Sequence, residues 1–511
     1  MTTHFAAIDW IVLVVYFTGN MGIGFYFFRR SRSTEAFTAG GHAMPGWACG
    51  LSVFATYLSS ISFLALPGKA FATDWNAFVF SLSLPVATFV ALRFFMPYYR
   101  RGGEVSAYAL LEKRFGVWAR SYASLCYLLT QLARMGAVMY LMALPLSVLL
   151  GWDIRWIILI VGVSVTVYSF VGGIMAVIWS DALQAIVLMA GAILCSALML
   201  FRMPEGPAQV FRLGAEAGKF GLGSFGASLS ESTFWVVLIY GIVLNLQNFG
   251  IDQSFVQRYV AAGSESEARK TVWIGGMLYL PVSLVFLFLG TQLFAFYHAH
   301  PGELEEIRAI VAVQQGVPAD RITDEDLGDK VFPHFIGKHL PAGLTGLVIA
   351  AILAAAMSTL STSLNSSATL IMGDWYRRLL RPEATEVQAM RVLHGATVVW
   401  GGLGTGIALL LIHVSSALDA WWVLSGIFGG GMLGLFLLGI ISRRAGNPVA
   451  ATSVLLGLVV IAWMTLSPGF DQPSLAALKS PFHFFLIPVF GTLTILLSGL
   501  LLTGLRGRIE P

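Results

Sequence analysis

Runs of about twenty apolar residues recur from one end of this 511-residue chain to the other, each long enough to cross the ~30 Å of hydrocarbon in a bilayer. No other feature narrows the possible folds as much. In lipid every backbone amide must find its partner inside the protein, which leaves helices and closed barrels. The runs are continuous rather than alternating, so the expected fold class is an all-α integral membrane protein. Composition agrees: 57% of the residues are hydrophobic and 11% charged, against about 25% charged in soluble domains. The formal net charge of +4 resides in short connections between the runs and does not point to nucleic acid. Cys49, Cys126 and Cys195 all fall inside apolar runs. An odd, buried set of cysteines predicts neither a disulfide framework nor a metal site.

About thirteen spans can be drawn, at 8–28, 48–71, 76–98, 118–150, 154–174, 180–202, 232–253, 270–298, 341–371, 388–414, 418–441, 448–467 and 483–505. The first run lacks a basic leader and is too long for a signal peptide, so it is expected to be a retained span. Most Lys and Arg collect in alternate loops: Arg29, Arg30 and Arg32; Arg100, Arg101, Lys113, Arg114 and Arg120; Arg258, Arg269 and Lys270; Arg377, Arg378, Arg381 and Arg391; Arg443 and Arg444; Arg506 and Arg508. By the positive-inside rule that side is cytoplasmic, with the N-terminus outside and the C-terminus inside. Two long loops, 203–231 and 299–340, then lie outside, the second expected to form short surface helices. Neither end has room for a catalytic or signalling domain, so 1–511 reads as a single membrane transport domain.

Polar groups are expensive in lipid, so the spans that retain them carry the functional information. Thr56, Tyr57, Ser59, Ser60 and Ser62 crowd the middle of the second span, with Pro67 and Gly68 after them. Such a helix is expected to unwind at mid-membrane and release carbonyls, such as those of Ala55 and Leu58, for a small cation; the alternative is a helix whose hydroxyls bond back to its own carbonyls. The ninth span runs through Ala355, Ser358, Thr359, Ser361, Thr362 and Ser363. Ala355, Ser358 and Thr359 share one helical face and Ser358, Ser361 and Thr362 the adjoining one, with Ser358 where the two meet. Two oxygen-lined sites or a close-packing face would both give this spacing.

Asp181, at the mouth of the sixth span, is either a helix cap or the anionic oxygen of a cation site. Arg134, mid-way along the fourth span, costs about 2.5–3.5 kcal/mol to insert and therefore needs a partner. Its planar fork suits a carboxylate, from an internal acid such as Asp181 or from an anionic substrate, with the substrate favoured. The seventh span holds Asn245, Gln247 and Asn248 before Gly250, a second candidate broken helix. Gly426, Gly429, Gly430, Gly431 and Gly434 read as a packing or hinge face, and His413 and Asp419 as solvated edge residues. There is no Gly-rich phosphate loop ending in Lys-Ser/Thr, so no nucleotide-driven pump is expected.

Gly172-Gly173, then Val177-Ile178-Trp179-Ser180-Asp181 and Gln184, resemble the motif of the sodium:solute symporter family, as does the Ala- and Ser-rich ninth span ending Ser363-Leu364-Asn365. Ser52-Val53-Phe54-Ala55-Thr56, Leu58-Ser59-Ser60, Pro67, Lys69-Ala70 and Asp74-Trp75 look most like the family's bacterial sialic-acid symporters. The resemblance covers essentially the whole chain. It implies a five-plus-five inverted repeat of the leucine-transporter type: an extra span at 8–28, one repeat at 48–202, the other at 232–441, and two closing spans at 448–505. It implies a first sodium site at Ala55, Leu58, Ala355, Ser358 and Thr359, and a second at Asp181, Ser358, Ser361 and Thr362.

It also puts Arg134 where those symporters hold the substrate carboxylate, with Thr56, Tyr57, Ser59, Ser62, Ser81, Asn245 and Gln247 as the substrate-binding candidates. Tyr57 stands where those proteins have threonine and Ser81 where they have glutamine. The resulting expectation is a functional monomer in the bacterial inner membrane, not an enzyme. It would couple two sodium ions to import of a carboxylated sugar, sialic acid first. A symporter for another carboxylate, an amino acid or a neutral sugar is the alternative, and a transport-inactive sensor a remoter one.

Overall fold

The structure, a computed structural model, describes residues 5–413, 429–470 and 473–506. Residues 414–428, with Asp419, Gly426 and the start of the span expected at 418–441, lie outside the described residues. Among the described residues ten helices are long and apolar enough to cross a membrane, and a bent pair makes an eleventh. In chain order they are α1 (Ala7–Phe27), the bent pair α2 (Gly46–Tyr57) and α3 (Ser60–Ala72), α4 (Asn76–Gly102), α5 (Val117–Leu150), α6 (Ile154–Phe201) and α7 (Phe234–Ile251). After the short α8 (Gln253–Ala261) follow α9 (Glu265–Ala299), α10 (Leu344–Leu380), α11 (Glu386–Leu411), the short apolar α12 (Met432–Ile441), α13 (Asn447–Gly469) and α14 (Phe484–Leu505). The two long loops carry helices of their own, at Ala208–Glu216, Pro301–Gln315 and Asp324–His339. Cys49, Cys126 and Cys195 are free and buried.

Unbroken, α6 would run about 72 Å, more than twice the hydrocarbon thickness. Gly173 interrupts it with φ 55° and ψ −154°, a backbone region essentially reserved for glycine. A Cβ there would also lie 2.8–2.9 Å from the Phe37 ring and carbonyl. The Gly172-Gly173 motif is thus a junction between two lengths of helix, and it orients the second length, which carries Asp181.

The centre of the molecule is α10. Every residue from 348 to 370 is buried, and the helix packs against α1, α2, α3, α5, α6 and α11. Its hydroxyls therefore cannot face lipid. They must find partners on the surrounding helices, and those partners define the site.

Candidate functional site

The bent pair is broken where the hydroxyl-rich stretch predicts. Leu58 (φ −91°, ψ 101°) and Ser59 (φ −90°, ψ 169°) are extended, and α2 and α3 meet at 55°. Carbonyls near the break find partners from other helices. That of Ala55 accepts from Ser358 Oγ at 2.9 Å, and that of Thr56 accepts from Arg134 Nη2 at 2.9 Å. Ser358 Oγ also lies 3.2 Å from the Ala355 carbonyl, which Thr359 Oγ1 approaches to 3.2 Å. Four of the five residues expected at the first cation site are thereby joined across α2 and α10, and Leu58 sits at the break itself. Carbonyls and hydroxyls from an unwound span and its neighbour are the donor set that sodium takes in broken-helix transporters.

Asp181 is no helix cap. It lies two turns beyond Gly173, fully buried. Its Oδ1 accepts from Ser361 Oγ at 3.2 Å, and its Oδ2 from Ser52 Oγ at 2.6 Å and Thr362 Oγ1 at 3.3 Å. Thus Asp181, Ser361 and Thr362 do converge. Ser358 contributes its carbonyl to Ser361 Oγ at 3.1 Å, while its hydroxyl serves the first cluster. The two clusters communicate: Thr56 Oγ1 lies 2.9 Å from Thr362 Oγ1, and the carbonyl of the same Thr56 holds Arg134.

One placement corrects the sequence reading. Arg258, counted there as a loop residue, lies on α8, whose every residue is buried. Its guanidinium donates to Asp181 Oδ2 at 3.1 Å, Thr362 Oγ1 at 2.6 Å, Ser52 Oγ at 2.7 Å and the Ser254 carbonyl at 2.6 Å. Asp252, in extended backbone (φ −69°, ψ 123°) between α7 and α8, is an acid in the electrostatic surroundings of Arg134. No ion pair closes between them within 4.0 Å among the described residues. Arg134 is only half-buried, and its fork keeps donors for a ligand.

Around Arg134 the polar and aromatic groups form a wall. The Tyr57 hydroxyl bonds Asn245 Oδ1, and Asn245 Nδ2 donates to Ser83 Oγ at 2.8 Å. The Tyr57 ring packs edge-on to Tyr279 at 4.5 Å and beside Phe80, Phe249 and Phe255. Ser59 caps α3, its side chain accepting from the Ser62 amide. Gln247 Oε1 is buried with no hydrogen-bond partner among the described residues. Ser81 is buried on α4, but the hydroxyl joined to Asn245 is that of Ser83.

A family model for the sodium:solute symporter family matches residues 37–457. The chain is 33% identical to the sodium/sialic acid symporter NanT of Aliivibrio fischeri, over 97% of this chain and 93% of that one. The chain belongs to the sodium:solute symporter family. This symporter is also 32% identical to the sodium/sialic acid symporter SiaT of Proteus mirabilis, over 97% and 94% of the two chains. Its fold superposes with a TM-score of 0.87, at 31% identity and 98% coverage of both chains, on a Na+-coupled sialic acid symporter solved in a substrate-bound outward-open state. Membership makes the protein a multi-pass transporter with sodium as its coupling ion, not an enzyme.

In this symporter the residues that sequence reasoning missed are Ser52, Ser83, Asp252, Arg258 and Tyr279. Only Arg258 left a signal: it sits among Phe255, Val256, Tyr259 and Val260, unlike the adjacent charges of Arg269 and Lys270. Replacing Tyr57 by Phe leaves Asn245 Oδ1 without its donor. An unmade buried bond of this kind costs about 1–3 kcal/mol, so the variant is expected to melt earlier in detergent. An unchanged midpoint would mean that Tyr57 does not hold Asn245.

Proposed function

We propose that the protein imports sialic acid (N-acetylneuraminate) together with sodium, with Arg134 holding the substrate carboxylate. The observation that carries this reading is a half-buried arginine at mid-span with no carboxylate within 4.0 Å among the described residues, next to a broken helix whose Thr56 carbonyl holds it and whose Ala55 carbonyl accepts from α10. Arg134 supplies the charge and the planar fork. Thr56, Ser59, Ser62, Asn245 and Gln247 supply hydrogen-bonding groups for a polyol, with the Oε1 of Gln247, which has no partner among the described residues, placed to accept from a sugar hydroxyl. Tyr57 and its aromatic neighbours offer an apolar face. Ser81 is the weakest member of the set, and Ser83 takes its place beside Asn245.

One sodium is assigned to Ala55, Leu58, Ala355, Ser358 and Thr359, and a second to Asp181, Ser358, Ser361 and Thr362, where it meets Arg258. An ion held between the α2 carbonyls and the α10 hydroxyls favours the conformation in which those helices approach, because it binds that one more tightly. The approach positions Thr56, whose carbonyl orients Arg134, and so couples ion binding to the pocket. We assign about thirteen spans in a five-plus-five inverted repeat, with repeats at 48–202 and 232–441. The break at Gly173 and the apolar α12 support the count, and the paired breaks at Leu58 and Asp252 support the symmetry. The protein is assigned to a bacterial inner membrane as a monomer, N-terminus outside and C-terminus cytoplasmic.

Calorimetric titration of the purified protein with N-acetylneuraminate, in sodium and then in potassium, tests the substrate. Binding in sodium alone, undisturbed by excess hexuronate or lactate, is the expected result. Binding of hexuronate or lactate in place of N-acetylneuraminate would reassign the pocket to another carboxylate.

A further inference from the structure

Arg258 places a full positive charge inside the second ion cluster. Its Nη2 lies 3.1 Å from Asp181 Oδ2 and 2.6 Å from Thr362 Oγ1, and its Nε lies 2.7 Å from Ser52 Oγ. Asp181 and Thr362 are two of the residues assigned to the second sodium. Both Arg258 and Asp181 are fully buried, so neither charge is screened by water. As a pair they sum to zero, whereas a sodium ion added beside a docked Arg258 would leave an uncompensated charge in a low-dielectric interior. The oxygen atoms are contested too: an Oγ1 that accepts from a guanidinium has less to offer an ion.

The two cations therefore compete for one carboxylate, and the arginine cannot diffuse away. It is carried by α8, which follows the break at Asp252, while Asp181 is carried by the helix that follows Gly173. A carboxylate left without a counter-charge at this depth is costly. A tethered arginine meets that need when the ion is gone.

We propose that Arg258 is a built-in competitor of the second sodium ion: it weakens that ion's binding and takes over Asp181 when the ion leaves, so that the unloaded carrier never exposes a bare carboxylate. The inference rests on the sodium-symport reading and adds a residue that sets the affinity and release of one ion.

The test is equilibrium binding of ²²Na⁺ to the purified protein at pH 8.5 without substrate, so that transport activity is not the readout. Wild type is expected to show a tighter and a weaker component, and D181N to lose only the weaker one. In R258Q the weaker component should tighten by about tenfold or more, since the competing charge is removed while an amide remains to bond Ser52. R258K, which keeps the charge, should stay near wild type. The double variant R258Q/D181N should lose the tightened component, which ties the gain to Asp181. Weaker sodium binding in R258Q than in wild type would overturn the inference, because Arg258 would then be organising the site rather than contesting it. An unchanged isotherm would overturn it as well. If R258Q does not fold, R258M, which removes the charge and keeps most of the bulk, takes its place with the same expected tightening; a weaker component that survives in D181N would also overturn the inference, because the second ion would then not sit at Asp181. Absence of any sodium binding in wild type would instead remove the symport reading itself.

Discussion

Arg134→Ala is expected to abolish sialic acid binding while leaving sodium binding nearly intact. Among the described residues the guanidinium is tethered by one hydrogen bond, from Nη2 to the Thr56 carbonyl at 2.9 Å, which leaves its other donors for a substrate. Removing one partner of a buried charged contact costs about 2–5 kcal/mol, roughly 30-fold to several-thousand-fold in affinity. The first ion cluster does not include the guanidinium, so sodium-dependent thermal stabilisation should persist in the variant. Arg134→Lys keeps the charge and loses the fork, and should recover only a small part of the affinity. Wild-type affinity in Arg134→Ala would move the carboxylate anchor elsewhere.

The second large effect is expected at Ser358, whose hydroxyl reaches the carbonyls of both α2 and α10. Ser358→Ala removes a hydroxyl proposed to hold the first ion and one tie between the broken span and the central helix. A hydrogen-bonding partner of a charged group contributes about 1.5–3 kcal/mol, so half-saturating sodium should rise roughly 10- to 150-fold. Thr397→Ala is the control. That hydroxyl is buried on α11 and, among the described residues, bonds only back to the Leu393 carbonyl in its own helix, and its loss should leave the sodium dependence unchanged. If Ser358→Ala keeps the wild-type sodium curve, the first cluster is a packing contact.

The polar residues that the sequence made legible share a background. Ser358, Ser361 and Thr362 stand out because they follow an uninterrupted apolar stretch of α10, Val348 to Met357, and the helical period then sorts them onto two faces. The break at Leu58 was legible for the same reason, with hydroxyls massed before Pro67. The region around Asp252 and Arg258 was not. Only nine residues long, α8 is rich in side chains that bond internally: Gln253 to the Ala107 amide and Val105 carbonyl, Gln257 to Thr38, Asn365 and Thr369. On hydropathy such a segment is indistinguishable from a solvated loop, so its arginine was counted with the loop charges. Burial there is set by tertiary packing against α2 and α10. Ser83 was missed on a finer scale, because only the approach of Asn245 selects it over Ser81.

Sodium-driven import is tested most directly by uptake of radiolabelled N-acetylneuraminate into proteoliposomes, with an inward sodium gradient and with equal sodium on both sides. Accumulation above the external concentration under the gradient, collapsing to equilibration without it, is the expected result. Equal uptake under both conditions would contradict coupling to sodium.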